Sequence, residues 1–136
     1  MHEISGLRSR FHATLSGMSH LEFITSLTLR VRDVGAAAAL DELRTDRPSM
    51  ITPAGTAGYH DTLAVFAVWA VNRLVAAGLS DVQVLWHPLT DVRTPLSWWP
   101  NDMLESPEAT DAFLPSVLAH AGEPMPMVDT RVLTAA

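Results

Sequence analysis

The sequence has no cysteine, and its nine basic residues are all arginine. Without Cys there are no disulfides, thiolate nucleophiles, zinc ribbons or iron–sulfur ligands. Without Lys there is neither Schiff-base chemistry nor a P-loop lysine. No Gly-x-Ser-x-Gly elbow and no dinucleotide fingerprint occurs, so a serine nucleophile and a resident dinucleotide lack support. Charge is sparse: 18% of residues are charged, with fifteen acids against nine arginines, for a net −6. That balance argues against a nucleic-acid partner, which needs a basic patch. It also leaves no membrane span. The longest apolar stretch, Leu63 to Leu79, is short and carries Asn72 and Arg73. Met1 to Arg10 is charged and has no apolar core of the signal-peptide kind, so the expectation is a cytoplasmic, bacterial-type protein.

What the chain does have is apolar mass. Of its 136 residues 48% are hydrophobic, which suits one domain with a real core. The reading is all-α: a compact helical bundle over residues 1–121, followed by an extended tail, 122–136, that carries Gly122, Pro124 and Pro126. Ser19-His20-Leu21-Glu22 matches a capping box, and Leu21, Ile24, Leu27, Val31 and Val34 follow at near-helical spacing up to Gly35. The same stretch admits a second reading. Leu27, Leu29 and Val31 alternate with Thr28, Arg30 and Arg32, which is strand spacing. A strand there, followed by the Ala-rich helix Gly35 to Arg44, would resemble the first βα unit of a glyoxalase-like module, an α+β alternative.

Thr45 to Gly58, with Pro48, Pro53, Gly55 and Gly58, reads as a loop long enough to be functional. Tyr59 to Ala77 is the strongest helix and is apolar nearly all round, so it belongs in the middle of the domain. Ser80 to His87 is a short element ended by Pro88. Asn101 to Glu105 suits one helical turn, and Ser106-Pro107-Glu108 is a helix start running toward Phe113. So apolar a central helix is hard to cover in a small chain, which points to a homodimer.

Acid–base or ligand chemistry falls to His, Asp, Glu, Arg and the single Tyr59. Of the six histidines, His2, His12, His87 and His120 sit at termini, segment ends or ambiguous positions. His20 and His60 each open a helix. The positive end of a helix dipole favours the neutral imidazole, which is a competent general base or metal ligand. Asp61 follows His60, and Tyr59 precedes it. Trp98-Trp99 cannot both point the same way, so one suits the core and the other a pocket wall, with Trp69 and Arg73 as further contacts. A metal would call on His20, His60, Asp61 and Glu22.

Taken in order, His20-Leu21, Tyr59-His60-Asp61-Thr62-Leu63, Trp98-Trp99, Leu104, Ser106-Pro107-Glu108-Ala109, Phe113 and Pro115 resemble a functionally unassigned family of small bacterial helical proteins. Its members carry a His-x-x-His-Leu segment, then Tyr-His-Glu-Thr-Leu opening a long apolar helix, then an aromatic pair, Leu, Ser-Pro-Glu-Ala, Phe and Pro. The resemblance covers roughly residues 11–118. It implies a helical fold in which His20 and His60 approach each other. Two positions depart from the pattern: Gly17 stands where the first His would be, and Asp61 where Glu is usual.

Three functions follow. The first is a small cofactor-free enzyme of the lyase, isomerase or cyclase type acting on a hydrophobic small molecule. His60 would be its base, His20 the acid, Asp61 an orienter and Tyr59 a hydrogen-bond donor, with Trp98, Trp99, Trp69 and Arg73 holding the substrate. The second is a non-catalytic ligand-binding or self-association module, in which His20 and His60 are anchored separately by backbone and no pocket joins them. The third is an enzyme that uses a divalent transition metal.

Overall fold

A computed structural model describes residues 19–114. The N-terminal stretch, His2, His12, His120 and the tail 122–136 lie outside the described residues. The fold is mostly helical, as the apolar spacing predicts. The strand alternative for residues 27–31 is not what forms.

The first helix, α1, runs His20–Asp46 and is broken into two arms at Gly35. Its start is a true capping box. The Ser19 hydroxyl accepts the Glu22 N–H at 3.1 Å, and the Glu22 carboxylate accepts the Ser19 N–H at 2.9 Å. Gly35 was expected to end the helix. Instead it turns it, with φ 90° and ψ 166°, a backbone state that L side chains rarely adopt. Arg30, nearly buried, spans the bend. Its guanidinium grips Glu42 of the second arm through two bonds of 2.9 and 2.6 Å and Asp33 of the first at 2.7 Å.

The expected loop contains a minimal hairpin. β1 (Met50–Ile51) pairs antiparallel with β2 (Ala57–Gly58), closed by a turn in which the Gly55 N–H reaches the Thr52 carbonyl at 2.8 Å. The second helix, α2 (Asp61–Ala76), has twelve of its sixteen residues buried. Alternating Ala and bulky residues let neighbours approach it from several sides. Both arms of α1 supply one wall. α3 (Asp81–Leu85) supplies another, with its own capping box from Ser80 and Gln83. Arg32 holds α3 against α1 by bonding Asp81 at 2.5 Å and the Leu79 carbonyl at 2.6 Å.

Two 3-10 turns follow, Pro88–Thr90 and Thr94–Ser97, then α4 (Asn101–Leu104) and α5 (Pro107–Asp111). α5 begins as the Ser-Pro-Glu signal requires: Ser106 caps it and Pro107 takes the first position, where no N–H is needed.

The sequence expectation put one of Trp98 and Trp99 in the core and the other on a pocket wall. Trp98 and Trp99 are both buried, because the turn at Thr94–Ser97 delivers both rings to Phe66. Ring centroids lie 5.1 Å (Trp98) and 5.9 Å (Trp99) from Phe66, and Trp69 lies 5.7 Å from Trp98. The cluster belongs to the core, and Trp98 also borders a surface groove of about 470 Å³ together with Arg73. The tryptophan left outside is Trp86.

Candidate functional site

The run Tyr59-His60-Asp61-Thr62 sits where α2 begins, and three of its members hold three different parts of the chain. His60 is the N-cap: its Nδ1 accepts the Leu63 N–H at 3.2 Å. An accepting Nδ1 places the ring proton on Nε2, which meets the Leu104 carbonyl at 2.6 Å. Both ring nitrogens are therefore engaged with backbone, and the side chain is buried.

Asp61 is buried beside it and faces the other way. Arg44, at the end of α1, forks onto its carboxylate at 3.0 and 2.9 Å, and the Tyr59 hydroxyl donates to it at 2.7 Å. Arg47, in the left-handed conformation that closes α1, lays its guanidinium 4.5 Å over the Tyr59 ring. Burial alone raises the Asp61 carboxyl. The Arg44 fork, the Tyr59 hydroxyl and the charges of Arg44 and Arg47 outweigh it and hold the group below the usual carboxylate range. Burial first, then the Asp61 carboxylate, push the Tyr59 phenol well above its ordinary value. Nothing in the local sequence marks Arg44 and Arg47 as partners of this run. Two arginines one turn apart at a helix end read as ordinary last-turn residues.

Thr62 completes the set. Its buried hydroxyl accepts the Leu114 N–H at 3.1 Å and lies 2.7 and 2.9 Å from the Ala109 and Ala112 carbonyls, which share its one proton.

His20 is elsewhere. Its Nε2 lies 2.6 Å from the Thr90 carbonyl, and it lines a cavity of about 30 Å³ walled by Phe23, Ile24, Met50, Leu63, Phe66 and Pro95, with Thr90 and Asp91 at its polar edge. His60 does not line this cavity. No hydrogen bond among the described residues joins the two imidazoles. Glu22 is held in the cap of α1. Among the described residues no group of three or more His, Asp or Glu side chains is placed to hold a metal ion.

Of the other expected contacts, Trp69, Trp98 and Trp99 are in the core, and Arg73 stacks on Trp69 at 5.2 Å. A surface groove of about 560 Å³ adjoins the His20 cavity and shares His20, Thr90, Asp91 and Val92 with it. Leu21, Leu85, Trp86 and Pro88 complete its apolar walls. Trp86 is 67% exposed and Val82, one turn away on α3, 65%, while Leu21 and Leu29 on α1 are 44% and 51% exposed. Among the described residues no helix is long and apolar enough to cross a membrane. No protein-family model matches the chain, and no curated protein or solved structure matches it either.

Proposed function

We propose that this protein is an interaction module that binds a protein partner through the face shared by the start of α1, α3 and the Pro88–Thr90 turn. The observation that carries the reading is Trp86, a large aromatic side chain left in water beside an apolar groove. Indole side chains in water next to apolar concavities are what the energetic centres of protein interfaces are made of.

Two further features support it over acid–base catalysis on a small molecule. The two histidines are fastened to separate backbone carbonyls, so no pair is assembled around one substrate. The His20 cavity, about 30 Å³, is several-fold smaller than the roughly 150 Å³ that admits benzene. It fits the tip of one side chain from a partner, with the groove beside it taking the rest.

The test is photo-crosslinking in cells. A photoreactive residue replaces Thr25, exposed on α1 between Leu21 and Leu29, and in a control replaces Asp111, exposed on α5. The expected result is a discrete protein adduct from position 25 that position 111 does not give. Equal adducts from both positions, or none from position 25, would overturn the proposal.

A further inference from the structure

We infer that the partner brings a basic segment to this face: an apolar side chain next to an arginine or lysine whose charge meets Asp91 and whose stem lies along Trp86. The inference rests on the interaction reading above and gives the partner its chemistry.

The first argument is the charge of the lining. Histidines aside, Asp91 is the one ionisable side chain that lines the groove, and it lines the His20 cavity as well; no arginine lines either. Asp91 is exposed, and its Oδ1 accepts the Arg93 backbone N–H at 2.9 Å. That bond engages one oxygen and leaves the charge in place. Among the described residues no arginine forms an ion pair with Asp91, Arg93 included. Glu22, next to Leu21 in the first turn of α1, is in the same state: it accepts the Ser19 N–H and meets no cation. Asp81 differs, because Arg32 pairs with it. The border is therefore negative, through Asp91 and Glu22.

The second argument is the pairing of an acid with an indole. Trp86 is 67% exposed and lines the same groove as Asp91. A guanidinium or ammonium group is drawn both to a carboxylate and to the face of an indole. Its methylene stem suits the apolar walls that Leu21, Leu85 and Pro88 supply. The cavity of about 30 Å³ has room for the tip of a neighbouring apolar side chain.

Other occupants fit less well. A neutral apolar segment would cover Asp91 without giving its charge a partner, which is costly. A polyanion has the wrong sign. A second copy placed on this face would set the same acids against one another.

The experiment is a heteronuclear NMR titration of the full chain with three short blocked peptides, in which Leu alternates with Arg, with Gln or with Glu. Trp86→Phe identifies the Trp86 indole signal. Asp91→Asn keeps an oxygen for the Arg93 N–H, and Asp111→Asn, exposed on α5, makes the same change in net charge elsewhere. The expected result is a saturable shift of the Trp86 signal by the Arg peptide, with the Gln peptide roughly three- to fivefold weaker and the Glu peptide weaker still. Asp91→Asn should weaken the Arg peptide by a similar factor and leave the Gln peptide unchanged, while Asp111→Asn should alter neither.

A Gln or Glu peptide that binds as tightly as the Arg peptide overturns the inference. So does an equal loss in Asp91→Asn and Asp111→Asn, which would mean that net charge alone attracts the peptide, and so does a Trp86 signal that no peptide moves. The crosslink from position 25 separates the two claims. A discrete adduct there, with another protein or with a second copy, leaves the interaction reading standing when the basic segment has failed; no adduct removes that reading as well.

Discussion

A histidine that caps a helix gives one ring nitrogen to the backbone at once, and His60 gives the second to Leu104. Removing the ring leaves an uncapped helix end and a buried carbonyl without its donor. We expect His60→Ala to cost about 2–3 kcal/mol in urea unfolding, and His60→Asn to recover about 1 kcal/mol of it through the retained cap. A neutral His60→Ala would sink this assignment.

Asp61 makes a pH prediction. Its folded carboxyl titrates below an unfolded Asp at about 3.9, so in acid the unfolded chain binds more protons than the native one. The stabilisation is complete above that unfolded value and is lost as pH falls through the folded one. The stability gap between wild type and Asp61→Asn, about 2 kcal/mol at pH 7 with Arg44 partly in water, should therefore narrow in urea unfolding at pH 3. Tyr59 acts at the other end. Its phenol is raised in the fold, so above pH ~10 the unfolded chain releases a proton that the native one keeps, and stability falls. Tyr59→Phe should flatten that alkaline slope.

The sequence singled out Tyr59, His60 and Asp61 as one run. Their roles were not legible there, because Arg44 lies seventeen residues from Asp61 and Leu104 forty-four from His60. Nothing local marks such partners. A helix-start His beside an Asp looks the same whether it faces a substrate or a carbonyl.

At the scale of elements, local chemistry was readable where it is local. The Ser19–Glu22 box and the Ser106-Pro107 start are written in adjacent residues and form as written. Gly35 was readable as an interruption, but not as a bend inside a continuing helix. That depends on Arg30 and Glu42 meeting across it, twelve positions apart. Open space surrounds the position a Cβ would take at Gly35, so Gly35→Ala would be charged for backbone strain and not for a clash. We expect a loss of about 1–2 kcal/mol, read as a lower midpoint in thermal unfolding. A stabilised Gly35→Ala would mean that the bend is not held in its left-handed geometry. Thr62 sets a second test. Thr62→Val removes the hydroxyl that holds Ala109, Ala112 and Leu114, and should speed amide hydrogen exchange across 106–114 before it affects α1.

For the molecule as a whole, the apolar pattern located the core helix but could not sort the tryptophans. Trp69, Trp86, Trp98 and Trp99 all stand in apolar surroundings in the sequence. Trp69 goes inward with α2, the turn at Thr94–Ser97 carries Trp98 and Trp99 in after it, and Trp86 stays out. Fluorescence should report this sorting. Trp86, in water, should emit to the red of the three buried rings, so Trp86→Phe should move the emission of the folded protein to the blue.

The start of α2 has a further consequence. His60, Asp61 and Thr62 each fasten a segment that arrives from far along the chain, closing spans of forty-four, seventeen and up to fifty-two residues. Closures that long come after the neighbouring helices have found each other, since their entropy must be met by contacts already made. The clasp is thus a late event of folding and an early one of unfolding. Loosening it at His60 or Thr62 should quicken the unfolding rate while leaving the folding rate nearly unchanged, so the run that most resembles a catalytic motif sets how long the native state lasts.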